Sequence, residues 1–332
     1  MARLRVFVTH NPEDLEVYYG RALPELEAIA EVVTNPFDSD LTTPQLVEAA
    51  AGCDVIVAHR ATPGEAVVFE RLPELVAFLR CAVDISTIDV DAASANGVLV
   101  ARAGKSFVAS TAELALGLLI DVARNISAST CDYRAGRMPP QRPGYQLAGR
   151  TAGIIGYGAI GSHLAALLSA IGMEVLVCDP FMTVDAPALR QVELSELLAR
   201  ADAVFPLVPG DATTENLIGA DELESMKPGA FLINVSRCEV LDETAVADAL
   251  DSGHLCALGI DVGRAADQRP SAALAALAGV VATPHLGGLT PENADAQAAS
   301  SVEQVRAILD GDVPTGAVNA ERASRLGEFF AG

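Results

Sequence analysis

Several features are missing from this 332-residue sequence, and each absence excludes a class of protein. No segment is rich in lysine or arginine, and the formal net charge of −22 would repel a polyanion over most of the surface, so nucleic acid is not an expected partner. No apolar run approaches the roughly 20 residues that a membrane-spanning helix needs. The N-terminal run MARLRVFVTH is too short for a signal peptide, so we expect a cytoplasmic protein without a membrane partner.

Cysteine is present, but not in a pattern that indicates a metal site. The six cysteines form no CxxC pair, and no histidine lies near one at metal-ligand spacing. We therefore expect reduced, mostly buried thiols and no bound metal. The residues are Cys53, Cys81, Cys131, Cys178, Cys238 and Cys256.

The sequence does contain apolar runs in regular alternation with helical stretches. Apolar residues make up 51% of the chain, which is enough to bury the cores of two domains. The alternation fills the first hundred residues and restarts near Thr151. It predicts an α/β protein with two parallel sheets, and the second sheet is predicted to have six strands. The strand-like runs are RLRVFVT, EVVT, CDVIVA, LVAFLRCAV and GVLVA, then TAGIIG, MEVLVCD, ADAVFPLV, AFLINVS, LCALGID and GVVATP.

Two helical segments lie outside this alternation. Residues 105–126 are apolar almost all round, so we expect this helix to be buried between domains or against another subunit, and we predict a homodimer through it. Residues 291–309 predict a helix that folds back onto the first domain. Its apolar face comprises Ala294, Ala298, Val302, Val305 and Leu309.

The run TAGIIGYGAIGSHLAALLSAIGMEVLVCDP carries three glycines in the order GxGxxG, after an apolar strand and at the start of a helix. Gly156 permits a tight turn, Gly158 lets the backbone approach a pyrophosphate at the helix N-terminus, and Gly161 allows close packing of helix and strand. Asp179 ends the next strand, where a carboxylate accepts hydrogen bonds from an adenosine ribose and repels a 2′-phosphate. The segment predicts a dinucleotide site that prefers NAD to NADP.

Two polar residues follow later strands of the second sheet, at the edge where open α/β folds bind ligands. Arg237 follows AFLINVS, where a guanidinium either binds a carboxylate through two parallel hydrogen bonds or forms an ordinary surface ion pair. His285 follows VVATP and precedes two glycines. A histidine titrates near neutrality, as acid/base catalysis requires, although an isolated histidine is more often structural.

These segments resemble the D-isomer-specific 2-hydroxyacid dehydrogenase family over nearly the whole chain. The resemblance rests on GIIGYGAIG, TTENLIGADELESMKPGAFLINVSR, VLDETAVADAL, GIDV and TPHLGG. It implies a flavodoxin-like substrate domain, residues 1–102 with 289–332, into which a Rossmann NAD-binding domain, residues 103–288, is inserted. It also implies that Arg237 holds the substrate carboxylate and that His285 is the general acid/base.

The resemblance carries further binding residues with it. Those for NAD are Gly156, Tyr157, Gly158, Ala159, Ile160, Gly161, Asp179, Pro180, Val208, Asp261 and Gly287. Those for a small carboxylic-acid substrate are Arg60, Val83, Asp84 and Arg237. Considered by residue type alone, Arg60 also fits an ordinary exposed loop arginine, and Asp261 fits a structural role at a strand end.

Some positions depart from the family pattern. The glutamate that pairs with the histidine is expected five residues after Asp261, where this sequence has Ala266. Its neighbour Asp267 is either a displaced acid or a solvated loop residue. In the substrate loop CAVDISTID, Ala82 and Asp84 replace glycines that are usual in the family. Asp84 would repel a substrate carboxylate unless its side chain points away. We therefore expect 2-oxo acid reduction that is weak or has a lowered pH optimum.

Three functions fit these observations. The first is an NAD-dependent oxidoreductase that interconverts a small 2-hydroxy acid and its 2-oxo acid, which the retained arginine and histidine favour. The second is an NAD(H)-binding regulatory or interaction protein of the same fold, like the C-terminal-binding-protein corepressors. The third is a dehydrogenase for an unusual acid, such as a phosphorus oxyacid. The sequence does not identify the side chain of the substrate.

Overall fold

The computed structural model describes residues 3–265 and 268–331. In chain order the strands are β1 (Arg5–Val8), β2 (Glu31–Thr34), β3 (Val55–Ala58), β4 (Ala77–Arg80), β5 (Leu99–Arg102), β6 (Thr151–Ile155), β7 (Glu174–Cys178), β8 (Leu189–Gln191), β9 (Ala203–Pro206), β10 (Ala230–Asn234), β11 (Leu255–Ile260) and β12 (Val280–Ala282). The α-helices are α1 (Pro12–Asp14), α2 (Leu23–Ile29), α3 (Thr43–Ala49), α4 (Ala66–Arg71), α5 (Val90–Ala95), α6 (Val108–Arg124), α7 (Ile126–Arg134), α8 (Ala159–Ala170), α9 (Leu194–Arg200), α10 (Ala220–Ser225), α11 (Glu243–Asp251), α12 (Ala272–Ala275), α13 (Pro291–Asp310) and α14 (Ser324–Ala331).

The chain divides into two compact units. The first comprises Met1–Ser106 with Pro291–Gly332, and the second comprises Phe107–Thr290. The first has a five-stranded sheet in the order β2-β1-β3-β4-β5, and the second has a seven-stranded sheet in the order β12-β11-β10-β9-β6-β7-β8. All paired strands in the described residues are parallel. The predicted α/β class with two parallel sheets is confirmed.

The strand orders identify the two sheet types. The order of the first sheet is that of flavodoxin-like folds. When β6 is numbered as strand 1, the second sheet has the strand order 3-2-1-4-5-6-7. The first six positions are the order of the Rossmann fold, and the seventh strand, β12, is an addition at the edge. The central strands β3 and β10 are buried at every residue, because helices cover both faces of a parallel sheet.

The predicted count of six strands in the second sheet is wrong by one. The additional strand is β8, which pairs in parallel with β7 at the edge of the sheet. It has only three residues, with the sequence LRQ, and none of them is buried. An edge strand this short and polar has no apolar run by which the sequence would reveal it.

The helix predicted at residues 291–309 is α13, and it packs in the first unit as expected. Its residues Ala298, Val302, Val305 and Ile308 join the core that β1, β3 and β4 form on one face of the five-stranded sheet. The prediction for Leu309 is wrong, because its side chain is 41% exposed and Ile308 takes the buried position. The polar residues Ser301 and Gln304 are also buried on this face.

The apolar helix predicted at residues 105–126 is α6, and its apolar side is covered within its own unit. Its buried residues, which include Leu118 and Leu119, share one core with α8, β6 and β10. The opposite side carries exposed residues such as Glu113 and Ile120. The apolar composition of α6 therefore follows from packing on the seven-stranded sheet and does not by itself require a second subunit.

No single helix in the described residues is long and apolar enough to cross a membrane. Helices α6 and α7 meet the length and composition requirement only when taken together, and they are bent by 67° at their junction.

All six cysteines lie in described residues and are free. Cys53, Cys81 and Cys238 are buried, Cys178 and Cys256 are half-buried, and Cys131 is exposed. Five of the six are therefore buried or half-buried, as expected, and Cys131 on α7 is the exception.

Candidate active site

The predicted ligand-binding residues of the second unit follow strands that all point in one direction. The glycine-rich turn follows β6, Asp179 follows β7, Arg237 follows β10 and His285 follows β12. Because every pairing in this sheet is parallel, the carboxyl ends of these strands meet at one edge. The strand order reverses direction between β6 and β9, and the crevice at such a switch point is where ligands bind in open α/β sheets.

The glycine-rich turn needs glycine at two positions for reasons internal to the fold. Gly156 has a φ of 97°, and a Cβ there would lie 2.6 Å from the carbonyl oxygen of Leu207. Gly161 lies inside α8, where a Cβ would collide with the carbonyl oxygen of Gly156. The contact at Gly161 limits how closely α8 approaches the turn after β6, and the contact at Gly156 limits how closely that turn approaches the segment after β9.

Gly158 differs from these two glycines, because a Cβ built on it meets no atom within 4 Å. It is the N-cap residue of α8, and it has no side chain to accept a hydrogen bond from the first N–H groups of the helix. Those groups and the positive end of the helix dipole suit a phosphate, and a side chain at Gly158 would occupy the space in front of them. The donors and the open space fit the pyrophosphate of a dinucleotide.

Asp179 ties this turn to the loop after β7. Its Oδ2 accepts a hydrogen bond from the N–H of Tyr157 at 2.7 Å, and its Oδ1 accepts from those of Phe181 at 2.8 Å and Met182 at 3.0 Å. Partial burial of the carboxyl raises its pKa, but the three backbone donors outweigh that effect and hold the pKa below its usual value. The carboxylate is therefore ionised at neutral pH, and it retains lone pairs for ribose hydroxyl groups.

The other predicted cofactor residues lie at the same sheet edge. Tyr157 is half-buried in the turn, and Ala159 and Ile160 begin α8. Pro180 is exposed directly after Asp179, and Val208 follows β9, where its Cγ1 lies beside Gly156.

Arg237 is an exposed residue between two buried ones. Its neighbours Ser236 and Cys238 are buried, and its own backbone is extended, with φ −143° and ψ 147°. One guanidinium nitrogen, Nη1, donates to the carbonyl oxygen of Ser236 at 2.8 Å. The carboxamide of the buried Asn234 holds this turn, because its Nδ2 donates to the carbonyl of Arg237 and its Oδ1 accepts from the N–H of Ser236.

His285 has a backbone conformation that few residues other than glycine adopt, with a φ of 62°. The loop that carries it is held by the fully buried carboxylate of Asp261, which follows β11. Asp261 Oδ1 accepts from Thr283 Oγ1 at 2.6 Å and from the N–H of Leu286 at 2.7 Å, and its Oδ2 accepts from the N–H of Gly287 at 2.8 Å. Donors on both sides of His285 therefore fix its position.

Helix α6 holds the far end of the same loop. The hydroxyls of Ser110 and Thr111 donate to the carbonyl oxygen of Gly287, at 2.8 and 3.0 Å. A Cβ at Gly287 would lie 3.2 Å from Asp261 Oδ2 and 3.3 Å from Thr111. Ser110, Thr111 and Thr283 are not predictable from the sequence, because a hydroxyl that donates to another group in the fold leaves no spacing signal.

Two predicted positions, Ala266 and the possible displaced acid Asp267, lie outside the described residues. On either side of them, the N–H of Gly263 donates to the carbonyl of Gln268 at 2.8 Å, and Arg264 pairs with Glu215 at 3.1 Å.

The remaining predicted substrate residues belong to the first unit. Arg60 is exposed, two residues beyond the end of β3, and Val83 is half-buried in the loop after β4. Asp84 is exposed, and its Oδ1 accepts from the N–H of Ser86 at 2.9 Å. The fully buried Arg80 supports the segment that carries Arg60 by donating to the carbonyl oxygens of His59 and Thr62.

Comparison with known proteins relates this architecture to one family. Residues 116–287 match the NAD binding domain of the D-isomer specific 2-hydroxyacid dehydrogenases. The chain is 36% identical over 281 residues to D-3-phosphoglycerate dehydrogenase of Mycobacterium leprae, an alignment that covers 83% of this chain and 53% of that protein. The chain thus spans about half the length of the phosphoglycerate dehydrogenases it matches.

Other relatives are similar in length to this chain. A glyoxylate reductase of Korarchaeum cryptofilum is 31% identical over 326 residues, which cover 96% of both proteins. The crystal structure of the TT0316 protein from Thermus thermophilus superimposes with a TM-score of 0.83 at 30% identity, covering 95% of this chain and 100% of that one. The chain belongs to the D-isomer specific 2-hydroxyacid dehydrogenase family, and residues 116–287 form the NAD-binding domain of that family.

Proposed function

We propose that this protein is an NAD-dependent oxidoreductase that interconverts a small 2-hydroxy acid and its 2-oxo acid. The observation that carries the proposal is the fixed, left-handed backbone of His285, on a loop anchored by the buried Asp261, at the sheet edge that also holds Arg237 and the glycine-rich turn. A non-glycine residue held in a rare conformation by surrounding hydrogen bonds is more frequent at functional sites than elsewhere.

The cofactor would be held by the turn from Gly156 to Gly161 and by Asp179, with Pro180, Val208, Asp261 and Gly287 contributing around it. Bound NAD would accept a hydride from the hydroxy acid, or supply one when reduced. Asp179 favours NAD over NADP, because a carboxylate that is ionised at neutral pH repels the 2′-phosphate of NADP. No lysine or arginine follows Asp179 before Arg190 to offset that repulsion.

Arg237 would bind and orient the substrate carboxylate. The side chain is exposed at the ligand-binding edge, while its backbone is fixed between buried neighbours. A guanidinium offers five donors in a planar fork, so it can retain its bond to Ser236 and still form paired hydrogen bonds with a carboxylate. The same positive charge stabilises negative charge that develops on the adjacent carbonyl oxygen.

His285 would exchange a proton with the substrate oxygen. In the reducing direction the protonated imidazole donates to the carbonyl oxygen, and in the oxidising direction the neutral imidazole accepts the hydroxyl proton. The family glutamate that stabilises the protonated form is replaced by Ala266. We therefore keep the expectation that reduction is weak or restricted to lower pH, with Asp267 as the residue that would lessen this effect if it pairs with His285.

The substrate-side assignments rest on the family resemblance. We propose that residues 1–102 with 289–332 form the substrate domain and that residues 103–288 form the cofactor domain. We also propose that Arg60, Val83 and Asp84 contact the substrate. The relatives named above act on 3-phosphoglycerate or glyoxylate, both of which are small acids.

We further propose a cytoplasmic homodimer. Six free cysteines suit a reducing compartment. Residues 105–126 and the segment after them carry exposed large apolar side chains, which are commonly covered in an oligomer. These are Ile120, Ile126, Tyr133 and Met138.

The proposed reaction is tested by following NADH oxidation with glyoxylate, pyruvate, hydroxypyruvate and longer 2-oxo acids, from mildly acidic to mildly alkaline pH. NADH binding is measured in parallel by fluorescence. We expect turnover with at least one small 2-oxo acid, fastest at the acidic end of the range. Tight NADH binding without turnover on any acid would contradict the proposal and favour the nucleotide-binding regulatory function.

A further inference from the structure

We propose that the five-stranded unit binds one divalent transition-metal ion through Asp14, Asp40 and His59. These side chains each offer one ligand atom, and the three atoms lie within 4.8 Å of one another. All three residues belong to the first unit, whereas the proposed cofactor residues belong to the second.

The topology of the sheet explains why residues so far apart in sequence meet. Strands β2, β1 and β3 are neighbours in that order, and they are parallel. Asp14 ends the short helix after β1, Asp40 lies in the loop after β2, and His59 directly follows β3. The three residues therefore converge at the carboxyl ends of adjacent strands, the edge at which parallel sheets bind ligands.

The distances between these groups suit a shared ion better than direct contact. His59 Nδ1 lies 3.8 Å from Asp14 Oδ2 and 3.9 Å from Asp40 Oδ1, which is too long for hydrogen bonds. An ion that binds each atom at about 2.0–2.2 Å separates its ligands by about 3–4 Å. His59 Nδ1 is also buried and has no hydrogen-bond partner, although an imidazole nitrogen normally has one.

The electrostatics of the cluster favour a cation. Two carboxylates face a single imidazole within the cluster. The adjacent Arg60 is exposed. The nearby Arg80 is committed elsewhere, because it donates to the carbonyls of His59 and Thr62 and to Thr87 Oγ1.

Neighbouring groups hold the three ligands in place, as outer-shell groups do in metal sites. Asn11 Nδ2 donates to Asp14 Oδ2 at 2.8 Å and lies 3.4 Å from Asp40 Oδ1, and Asn11 Oδ1 accepts from the N–H of Asp14. The backbone N–H of His59 donates to Thr9 Oγ1 at 2.8 Å.

A second histidine with an unsatisfied nitrogen packs against the cluster. The ring of His10 lies 5.0 Å from that of His59, between centroids. His10 is only 2% exposed, and its Nδ1 has no hydrogen-bond partner.

The ligand set indicates which ions fit. One imidazole nitrogen with two carboxylate oxygens suits Zn²⁺ or Mn²⁺ better than Mg²⁺ or Ca²⁺, which prefer oxygen alone. Three protein ligands leave at least one coordination position for water. Bound in this way, the ion would tie together the segments after β1, β2 and β3.

The experiment uses the full-length protein after treatment with a chelator, titrated with Zn²⁺ in a calorimeter. We expect one equivalent of Zn²⁺ to bind and to raise the melting temperature, because an ion that binds only the folded state stabilises it. When Co²⁺ replaces Zn²⁺, its coordination by the imidazole of His59 should give visible absorption bands. Mg²⁺ should compete poorly.

Asp40→Asn is the decisive variant and Asp38→Asn is its matched control. Asp40 is 57% exposed, so its replacement leaves the core intact, and Asp38 is an exposed carboxylate in the same loop outside the cluster. Asp40→Asn and His59→Gln should each weaken Zn²⁺ binding at least about tenfold, while Asp38→Asn binds as the wild type does. Equal binding by Asp40→Asn and the wild type, or no stoichiometric binding by the wild type, would overturn the proposal.

Discussion

At the scale of single residues, Asp179 shows how one carboxylate can organise a site. Three backbone N–H groups from two segments converge on it, and together they lower its pKa despite partial burial. A carboxyl with a lowered pKa in the folded state stabilises the fold above its unfolded pKa, and that stabilisation is lost as the pH falls through the folded value.

We predict that Asp179→Asn lowers the free energy of unfolding by about 1 kcal/mol at pH 7, because the amide is a weaker acceptor and a solvent-screened site limits the loss. The difference from the wild type should begin to shrink as the pH falls below about 4 and should disappear only below the lowered folded-state pKa, where the wild-type carboxyl is protonated. Denaturant unfolding at several pH values measures this. A difference that stays constant from pH 7 to pH 3 would contradict the role given to the charge.

A second residue-scale prediction concerns the missing glutamate. Ala266→Glu restores a carboxylate at the family spacing, where it would stabilise the protonated form of His285. The alkaline limb of the pH profile for 2-oxo acid reduction should then move to higher pH, with little change in NADH affinity. Ala265→Glu provides the matched control, since it adds the same charge one residue away. A profile identical to the wild type in Ala266→Glu would show that this position does not face the histidine.

The residues of the candidate site were predictable to the extent that they follow strands. Arg237 and His285 could be identified because each ends an apolar run in a parallel sheet. The anchoring of the His285 loop could not be predicted. It depends on Thr283, on the backbone N–H of Leu286 and on a φ of 62°, and none of these leaves a pattern in the sequence.

At the scale of elements, the turn between β6 and α8 separates the needs of folding from those of binding. A side chain at Gly161 would meet the carbonyl oxygen of Gly156, whereas a side chain at Gly158 would meet open space. The same motif thus contains two glycines that the fold requires, Gly156 and Gly161, and one, Gly158, that is available to a ligand.

We predict that Gly158→Ala folds with a melting temperature close to that of the wild type but binds NADH at least about tenfold more weakly, since the added methyl keeps a pyrophosphate from the helix N-terminus. Gly161→Ala should lose stability by about 2 kcal/mol or more, through forced movement of α8. Thermal unfolding and NADH fluorescence titration measure the two effects. If Gly158→Ala bound NADH normally, the open space in front of α8 would not be the pyrophosphate site.

Elements with strong periodicity were predicted well, and elements that depend on their neighbours were not. The helix α13 was evident from its spacing, but a shift of one residue decided that Ile308, not Leu309, is buried. The strand β8 is a strand only because β7 pairs with it. Helix α6 looked like an interface helix because its sequence does not show which sheet will cover it.

At the scale of the whole molecule, the dominant feature is a net charge of −22. Excess charge of one sign destabilises a folded protein through repulsion. Salt screens this repulsion over about 10 Å at 0.1 M and about 3 Å at 1 M.

We therefore predict that the melting temperature rises by several degrees between about 0.05 M and about 1 M NaCl at pH 7. The rise should become smaller near pH 5, where part of the carboxylates are protonated. Scanning calorimetry at both pH values is the measurement. A melting temperature that falls with salt at pH 7 would mean that favourable ion pairs outweigh the net repulsion.

The proposal that the protein is a dehydrogenase depends most directly on His285. We would compare kcat and KM for 2-oxo acid reduction in the wild type, in His285→Asn and in His163→Asn, whose histidine is exposed on α8. We predict a loss of about 10²–10⁴-fold in kcat for His285→Asn with NADH affinity retained, and no change for His163→Asn. Undiminished turnover in His285→Asn would contradict the account, because the proton would then be supplied by another group.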